Sequence, residues 1–183
     1  MNVFEQKEIS AAQSFLSFRL GKEIFAVEVS KVNEILEVPK ITKIPKSPEY
    51  MTGVINLRGT VLPLVDTKIK FGMKPVEFTV DTCIVVLEIK VDDEKIQVGA
   101  LVDSVLEVME IDEAQLQPSP SMDAKYNLDF IEGMLELDNK FIMLLKIDMI
   151  FSINDIIDLK ETHEGSSPKK NKSIKNPNNR GKK

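Results

Sequence analysis

The alternation of apolar and polar residues predicts that most of the chain forms short β-strands. Residues 14–20 (SFLSFRL) and 24–29 (IFAVEV) both carry the two-residue period of a strand. Gly21 and Lys22 lie between them, and this spacing predicts a hairpin with a tight turn. With turns at Asp92-Asp93 and Asp138-Asn139, the same pattern predicts further strands at residues 82–91, 96–101, 130–137 and 141–147.

A second hairpin is predicted around Arg58 and Gly59. Residues 53–57 and 60–65 form apolar strands on either side of this pair, and glycine supplies the positive φ of a tight turn. Pro63 lies within the second of these strands and has no N–H to donate to a neighbour. We therefore expect Pro63 at a sheet edge or a bulge rather than in a central strand.

Helical patterns are scarce. Residues 29–32 and 102–105 could each form one helical turn. Residues 148–159 place three isoleucines at helical spacing, with Ser152 as an N-cap. The expected fold class is therefore all-β, with short helices and a C-terminal helix.

Two blocks of sequence occur twice in the same order, which indicates an internal duplication. Residues 25–35 match residues 98–108, with Val29, Val32 and Glu34 opposite Val102, Val105 and Glu107. Residues 53–65 match residues 133–145, each block beginning at a glycine. One unit of about five short strands is too small for a layered sandwich of its own. We therefore expect two small barrels that pack on one another along a shared apolar seam.

Charge separates a folded body from a tail. Residues 160–183 contain eight basic and two acidic residues, a net charge of +6, which leaves 16 basic and 27 acidic residues upstream, a net charge of −11. The tail contains a single aliphatic residue, so it cannot bury enough apolar surface to fold. We expect a flexible N-terminus at 1–12, repeated barrels at roughly 13–78 and 79–159, and a disordered basic tail at 160–183.

The residues of common catalytic sites are not brought together by this arrangement. His163, the only histidine, lies in the tail, so no rigid histidine-based catalytic or metal site is expected. Cys83, the only cysteine, lies in an apolar strand, which favours a small buried residue over a reactive thiolate and permits no disulfide. Asp103 and Asp148 are interpreted as turn or cap residues. With no glycine-rich phosphate-binding motif either, we predict a binding protein with no enzymatic activity, cofactor or metal.

Over about residues 13–159, the chain resembles the CheW family of chemotaxis coupling proteins. The resemblance is carried by FAVEVSKVNEI (25–35), IPKSPEYMTGVINLRGTVLPLVD (44–66) and VGALVDSVLEV (98–108). It implies two intertwined five-stranded SH3-like β-barrels without catalytic activity. It also implies an adaptor that connects the regulatory domain of the histidine kinase CheA to the cytoplasmic tip of chemoreceptors.

The resemblance associates Arg58 and Glu34 with the receptor and kinase contacts, and Asn56 belongs to the same hairpin motif. Arginine binds a carboxylate through two parallel hydrogen bonds, so we expect Glu34 to orient Arg58 at the groove between the barrels. The alternative is an arginine that is free in solvent. The repeat places Asp138 opposite Arg58, so the pair cannot be duplicated and the site is expected to be asymmetric.

The resemblance also implies that Val32, Val102 and Val105 line an apolar groove for the receptor, and Ile35 is a further member of this set. The alternative is that all four are core residues, as aliphatic residues usually are. Gly53 and Gly99 are weaker expectations for the kinase contact, because glycine lets another backbone approach closely. Their alternative is a bulge or a turn.

The expected location is the cytoplasm, at receptor arrays under the inner membrane and without direct membrane insertion. No apolar run approaches the roughly 20 residues needed to cross a bilayer, and the N-terminus shows no signal-peptide pattern. Three alternatives remain open. The chain could serve another signalling array, could be a related coupling protein that usually carries a phosphoacceptor domain, or could be a barrel that binds nucleic acid through its basic tail. No nucleic-acid partner is expected from the acidic body.

Overall fold

A computed structural model of the protein describes residues 12–119 and 129–151. Several predictions lie outside these residues: the flexible N-terminus, Ser152 and the remainder of the predicted C-terminal helix, and the basic tail with His163. Within the described residues, no helix is long and apolar enough to span a bilayer.

Ten strands account for most of the described chain, as the alternation of residues predicts. In chain order they are β1 (Gln13–Leu20), β2 (Glu23–Glu28), β3 (Val32–Glu37), β4 (Met51–Leu57), β5 (Thr60–Asp66), β6 (Cys83–Val91), β7 (Glu94–Val102), β8 (Ser104–Ile111), β9 (Ile131–Leu137) and β10 (Lys140–Leu145). The helical segments are α1 (Thr67–Lys70), α2 (Ile147–Ile150) and 3-10 turns at Val29–Lys31 and Glu113–Gln115. The all-β fold class and the helical turn after β2 are confirmed.

The strands form two five-stranded sheets with the same internal order. Barrel 1 has the order β8-β1-β2-β10-β9, and barrel 2 has the order β3-β6-β7-β5-β4. Each contains one parallel pair, β2 with β10 in barrel 1 and β7 with β5 in barrel 2. This correspondence pairs β3 with β8, β4 with β9 and β5 with β10, as the sequence repeat predicts.

The barrels are intertwined because each repeated unit contributes strands to both of them. The first unit gives β1 and β2 to barrel 1 and β3, β4 and β5 to barrel 2, and the second unit does the reverse. The predicted boundary near residue 78 therefore separates the units of the sequence repeat, whereas each barrel takes strands from both units.

In residues 12–119 and 129–151, three apolar clusters form the core, one inside each barrel and one between the barrels. The cluster inside barrel 2 includes Ile84 and Val86, and the cluster inside barrel 1 includes Phe15 and Leu144. The third cluster is the predicted seam, and it joins residues of both sheets, including Leu16, Phe18, Phe25, Val27, Val85, Leu87, Ile89, Val98, Val102 and Leu145. Strand β6 is buried on both faces, which explains its nearly continuous apolar sequence.

The prediction of a helical turn at residues 102–105 is wrong. Strand β7 ends at Val102 and β8 begins at Ser104, so only Asp103 separates them. The backbone N–H of Asp103 donates to the carbonyl oxygen of Arg19, and its carboxylate accepts the N–H of Gly21 at 2.6 Å. These contacts with the β1–β2 hairpin hold Asp103 in a sharp bend, which local sequence does not reveal.

The C-terminal helix differs from its predicted start. Helix α2 covers Ile147–Ile150, and Phe151 has an extended backbone with φ −100° and ψ 123°. A single continuous helix from residue 148 is therefore not formed. Phe151 instead joins the seam, where it is buried.

Pro63 does not lie on an edge strand, because β5 is flanked by β4 and β7. Pro63 pairs with Val54, whose own N–H and C=O groups both bond to Thr42. The pair is therefore one of the positions at which the strands exchange no hydrogen bonds, so the ring nitrogen points away from β4. The pairing of β5 with β7 begins at the next residue, Leu64, so the sheet loses no hydrogen bond to proline.

Candidate interaction site

The tip of the β4–β5 hairpin holds Arg58 in a defined backbone conformation. Arg58 has φ 51° and Gly59 has φ 86°, which fits the two-residue turn that the register requires. The side-chain oxygen of Asn56 accepts the N–H of Gly59 at 2.7 Å. Asn56 therefore shapes the turn from which Arg58 projects.

The guanidinium of Arg58 binds the carboxylate of Glu34 through two hydrogen bonds. Nη1 donates to Oε1 and Nη2 donates to Oε2, each at 2.8 Å. The side chain of Arg58 is 76% exposed and that of Glu34 is 23% exposed. An ion pair this exposed adds little to stability, so its main effect is to fix the direction of the guanidinium.

Both residues belong to barrel 2. Glu34 lies on β3, which is one edge of the sheet, and Arg58 lies at the end of β4, which is the other edge. The expected contact between Glu34 and Arg58 is present, but it joins the two edges of one barrel rather than one barrel to the other. The guanidinium remains available to a partner on its exposed side.

The four aliphatic residues of the expected groove have different surroundings. Val102 is completely buried in the seam and cannot contact a partner in this structure. Val32 and Val105, at equivalent positions in β3 and β8, are half-buried against the same cluster. Ile35 is 45% exposed and follows Glu34 directly, so the two side chains point to opposite faces of β3. Val102 is thus a core residue, while the other three retain accessible surface.

Gly53 and Gly99 are buried, and each has an internal reason to be glycine. At Gly53, with φ 149° and a register shift beside it, a Cβ would collide with the carbonyl oxygen of Thr42. This supports the bulge interpretation of Gly53. At Gly99 in the central strand β7, a Cβ would lie 2.5 Å from Leu64 Cδ2 and 2.8 Å from Ile84 Cγ2. Gly99 is therefore closely packed inside barrel 2, and its burial, like that of Gly53, favours an internal role over the predicted kinase contact.

At Cys83 the sequence favours a small buried residue over a reactive thiolate. Cys83 is half-buried, and burial raises the pKa of its thiol, with a smaller opposing effect from a backbone hydrogen bond to Val105. A raised pKa disfavours the nucleophilic thiolate. Among residues 12–119 and 129–151, no group of three or more metal-ligating side chains occurs.

Two further ion pairs among the described residues join distant elements, although the sequence suggested only turn or cap roles for their aspartates. Asp103, in the bend between β7 and β8, lies 3.2 Å from Lys68 of α1. Asp148 of α2 lies 2.7 Å from Lys31 in the 3-10 turn between β2 and β3. By extension of the repeat, Lys68 and Asp148 are equivalent, whereas Lys31 and Asp103 are offset by one position, so the two pairs correspond approximately and with reversed charge. The opposite charges at the equivalent positions Lys68 and Asp148 were the signal in the sequence that could have indicated these ion pairs.

Comparison with known proteins agrees with this architecture. The profile of the CheW-like domain matches residues 14–155. The chain is 36% identical over 140 residues to a protein named probable chemotaxis protein CheW from Rhizobium etli, an alignment that covers 76% of this chain and 88% of the relative. It is 34% identical over 142 residues to chemotaxis protein CheW from Rhizobium meliloti, covering 78% and 89%.

A solved structure shares the fold. The crystal structure of scaffolding protein TtCheW from Thermoanaerobacter tengcongensis matches with a TM-score of 0.68 and 33% sequence identity, covering 79% of this chain and 96% of that one. This similarity and the strand order confirm the predicted pair of SH3-like barrels. The residues that carry the hairpin, the repeat and the seam all fall within the matched domain, and the chain therefore belongs to the CheW family.

Proposed function

We propose that this chain is a non-enzymatic chemotaxis adaptor that couples the histidine kinase CheA to the cytoplasmic tip of methyl-accepting chemoreceptors. Membership of the CheW family supports this, as do relatives named chemotaxis protein CheW and a similar structure named a scaffolding protein. In this role the chain binds two proteins, transforms no substrate and acts at receptor arrays beneath the inner membrane.

The observation that carries the proposal is the exposed guanidinium of Arg58, fixed by Glu34 at a hairpin tip. A fixed, exposed arginine suits recognition because its donors are already oriented when a partner arrives. Val32, Ile35 and Val105 supply accessible aliphatic surface for the apolar face of a receptor helix. Asn56 contributes by shaping the turn.

Val102, Gly53 and Gly99 are not contact residues in this proposal because all three are buried. A substitution at any of them would act through the packing of the barrels. The kinase contact is therefore left to exposed surface of the two barrels, with the regulatory domain of CheA as the expected partner.

Co-sedimentation with receptor-bearing membranes tests the proposal, with and without CheA, alongside the rate of CheA autophosphorylation. We expect the chain to sediment with the receptors, to increase the amount of CheA that sediments, and to place kinase activity under receptor control. Failure to bind both receptors and CheA would contradict an adaptor role. A salt-dependent shift of DNA by the full chain, without receptor binding, would favour the nucleic-acid alternative.

A further inference from the structure

Barrel 1 lacks the ion pair that joins the edges of barrel 2. By the repeat, Glu107 on β8 is equivalent to Glu34, and Asp138 at the tip of the β9–β10 hairpin is equivalent to Arg58. Glu107 and Asp138 line one cavity of about 170 Å³ between β8 and this hairpin. Among the residues that the structure describes, neither carboxylate has a hydrogen-bond or ion-pair partner. We call this cavity and its rim the barrel 1 opening.

The rim of the barrel 1 opening is apolar. Leu106 and Leu137 line the cavity and are 40% and 47% exposed, while Val108 and Phe141 on the same two elements are 58% and 46% exposed. Four of the eight large hydrophobic side chains that are exposed in the described part of the chain thus lie on β8 and the β9–β10 hairpin, and two of them, Leu106 and Leu137, line the cavity beside the carboxylates.

Three of the four equivalent positions of barrel 2 differ from barrel 1, whereas Ile35, which corresponds to Val108, is itself 45% exposed. Leu57 and Val61, which correspond to Leu137 and Phe141, are half-buried, and Asn33 replaces Leu106. In barrel 2 an arginine bridges the edge strand and the hairpin. In barrel 1 that arginine is missing.

Charge favours a cationic occupant. Besides its two carboxylates, the cavity lining contains one cation, Lys140, which is exposed and forms no ion pair among the described residues. Glu110 and Glu136 add negative charge on the two flanking strands. The cavity volume corresponds to about six water molecules, enough for the four non-hydrogen atoms of a guanidinium.

We propose that the barrel 1 opening binds an arginine from a partner protein, carried on a segment with aliphatic neighbours. The guanidinium would bind Glu107 as Arg58 binds Glu34, with Asp138 on its other side, and the neighbours would cover Leu106 and Leu137. Arginine is favoured over lysine because its planar donors match a carboxylate through two hydrogen bonds. This surface is distinct from the Arg58 surface, so the inference goes beyond the proposed function and does not depend on it.

A hairpin peptide provides the probe. A disulfide-closed peptide with residues 54–61 of this chain (VINLRGTV) presents one arginine between aliphatic residues, and citrulline in place of arginine gives a neutral control of the same shape. The peptides are titrated into ¹⁵N-labelled full-length protein. We expect saturable shifts of the Glu107 and Asp138 amide resonances with the arginine peptide. The citrulline peptide should bind at least about tenfold more weakly.

Two charge reversals in the protein provide a matched comparison. Asp138→Arg gives Glu107 an internal partner and should weaken the arginine peptide about tenfold or more without lowering the thermal midpoint. Asp92→Arg makes the same charge change in the two-residue turn of the β6–β7 hairpin, where φ is also positive, and should leave binding unchanged.

Several results would overturn the proposal. They are the absence of saturable shifts, equal binding of the citrulline peptide, and an equal loss of binding in the Asp92 and Asp138 variants.

Two other occupants would also overturn the proposal, and the first is an arginine of this chain. The chain has three arginines, Arg19, Arg58 and Arg180. If Arg180→Gln moved the Glu107 and Asp138 resonances without peptide, the chain's own arginine would be the occupant. If Asp138→Arg abolished self-association in sedimentation velocity, the occupant of the barrel 1 opening would be a second copy of this chain.

Discussion

At the scale of single residues, the Arg58–Glu34 pair fixes the orientation of the guanidinium but adds little to the stability of the fold. The two hydrogen bonds give the guanidinium one direction, yet three quarters of its side chain faces solvent. Solvent screening limits what such a pair adds to folding to about 0–1 kcal/mol. Loss of the pair should therefore be visible in binding and nearly invisible in unfolding.

We predict that Arg58→Ala shifts the free energy of unfolding by less than about 1 kcal/mol and weakens receptor or kinase binding by about tenfold or more. The measurements are urea unfolding and co-sedimentation with receptor-bearing membranes and CheA. Lys22→Ala, which removes an exposed cation from the turn after β1, is the matched control and should retain binding. Wild-type coupling by the Arg58 variant would remove Arg58 from the site.

Equivalent glycines provide a second test at this scale. A Cβ at Gly53 collides with the backbone of Thr42 and the side chain of Ile41, whereas at Gly133 the nearest atom lies 3.3 Å away, at the oxygen of Gln117. We predict that Gly53→Ala lowers the free energy of unfolding by about 1–3 kcal/mol and Gly133→Ala by clearly less. Urea unfolding of both variants measures this. A Gly53→Ala variant of unchanged stability that fails to bind CheA would instead restore the kinase-contact interpretation.

At the scale of elements, the strands and two-residue turns could be predicted because their signals are local. A period of two residues and pairs such as Arg58-Gly59 or Asp138-Asn139 do not depend on what packs nearby. The bend at Asp103 and the interior position of Pro63 could not be predicted, since both depend on neighbours distant in the chain.

The same distinction, between local signals and contacts with residues distant in the chain, applies to the candidate interaction site. The contact between Glu34 and Arg58 could be predicted because the resemblance to the CheW family singles out both residues and an arginine binds a carboxylate through two hydrogen bonds. Val102 was assigned to the groove because aliphatic residues in core and in groove look alike in sequence, and only the packing of the two sheets separates them. The exposed rim of the barrel 1 opening was not anticipated for the same reason.

The ion pair between Asp103 and Lys68 is predicted to stabilise the link between α1 and the β7–β8 bend. The side chains are 22% and 14% exposed, and Asp103 also accepts the N–H of Gly21. We expect Asp103→Ala to cost about 1–3 kcal/mol, because the largely buried ammonium of Lys68 and the amide of Gly21 both lose their acceptor. Urea unfolding measures the loss, and Asp92→Ala in an exposed turn is the control. Equal stability of the two variants would contradict this assignment.

At the scale of the whole molecule, the shared seam makes the two barrels one folding unit. Side chains from both sheets meet in one buried cluster, and every repeated unit has strands on both sides of it. If either barrel unfolded, the apolar side chains that the other barrel contributes to the seam would become exposed to solvent. Unfolding should therefore be a single cooperative transition.

We predict that Leu87→Ala, in the seam, lowers the free energy of unfolding by about 2–5 kcal/mol and retains one transition. Circular dichroism and amide exchange of residues in both barrels should report the same midpoint. Leu137→Ala, at an exposed leucine of barrel 1, is the control and should cost much less. Separate transitions for the two barrels would show that the seam does not couple them.

The strand exchange also sets an order of completion during synthesis. Barrel 2 is built from one continuous stretch, from Val32 to Val102, whereas barrel 1 needs β1 and β2 from the beginning of the described chain and β8 to β10 from its end. On the ribosome, the first two strands therefore emerge long before their remaining partners. A nascent chain halted soon after Val102 would contain all five strands of barrel 2 but only the β1–β2 hairpin of barrel 1, so the seam that couples the barrels would still be incomplete.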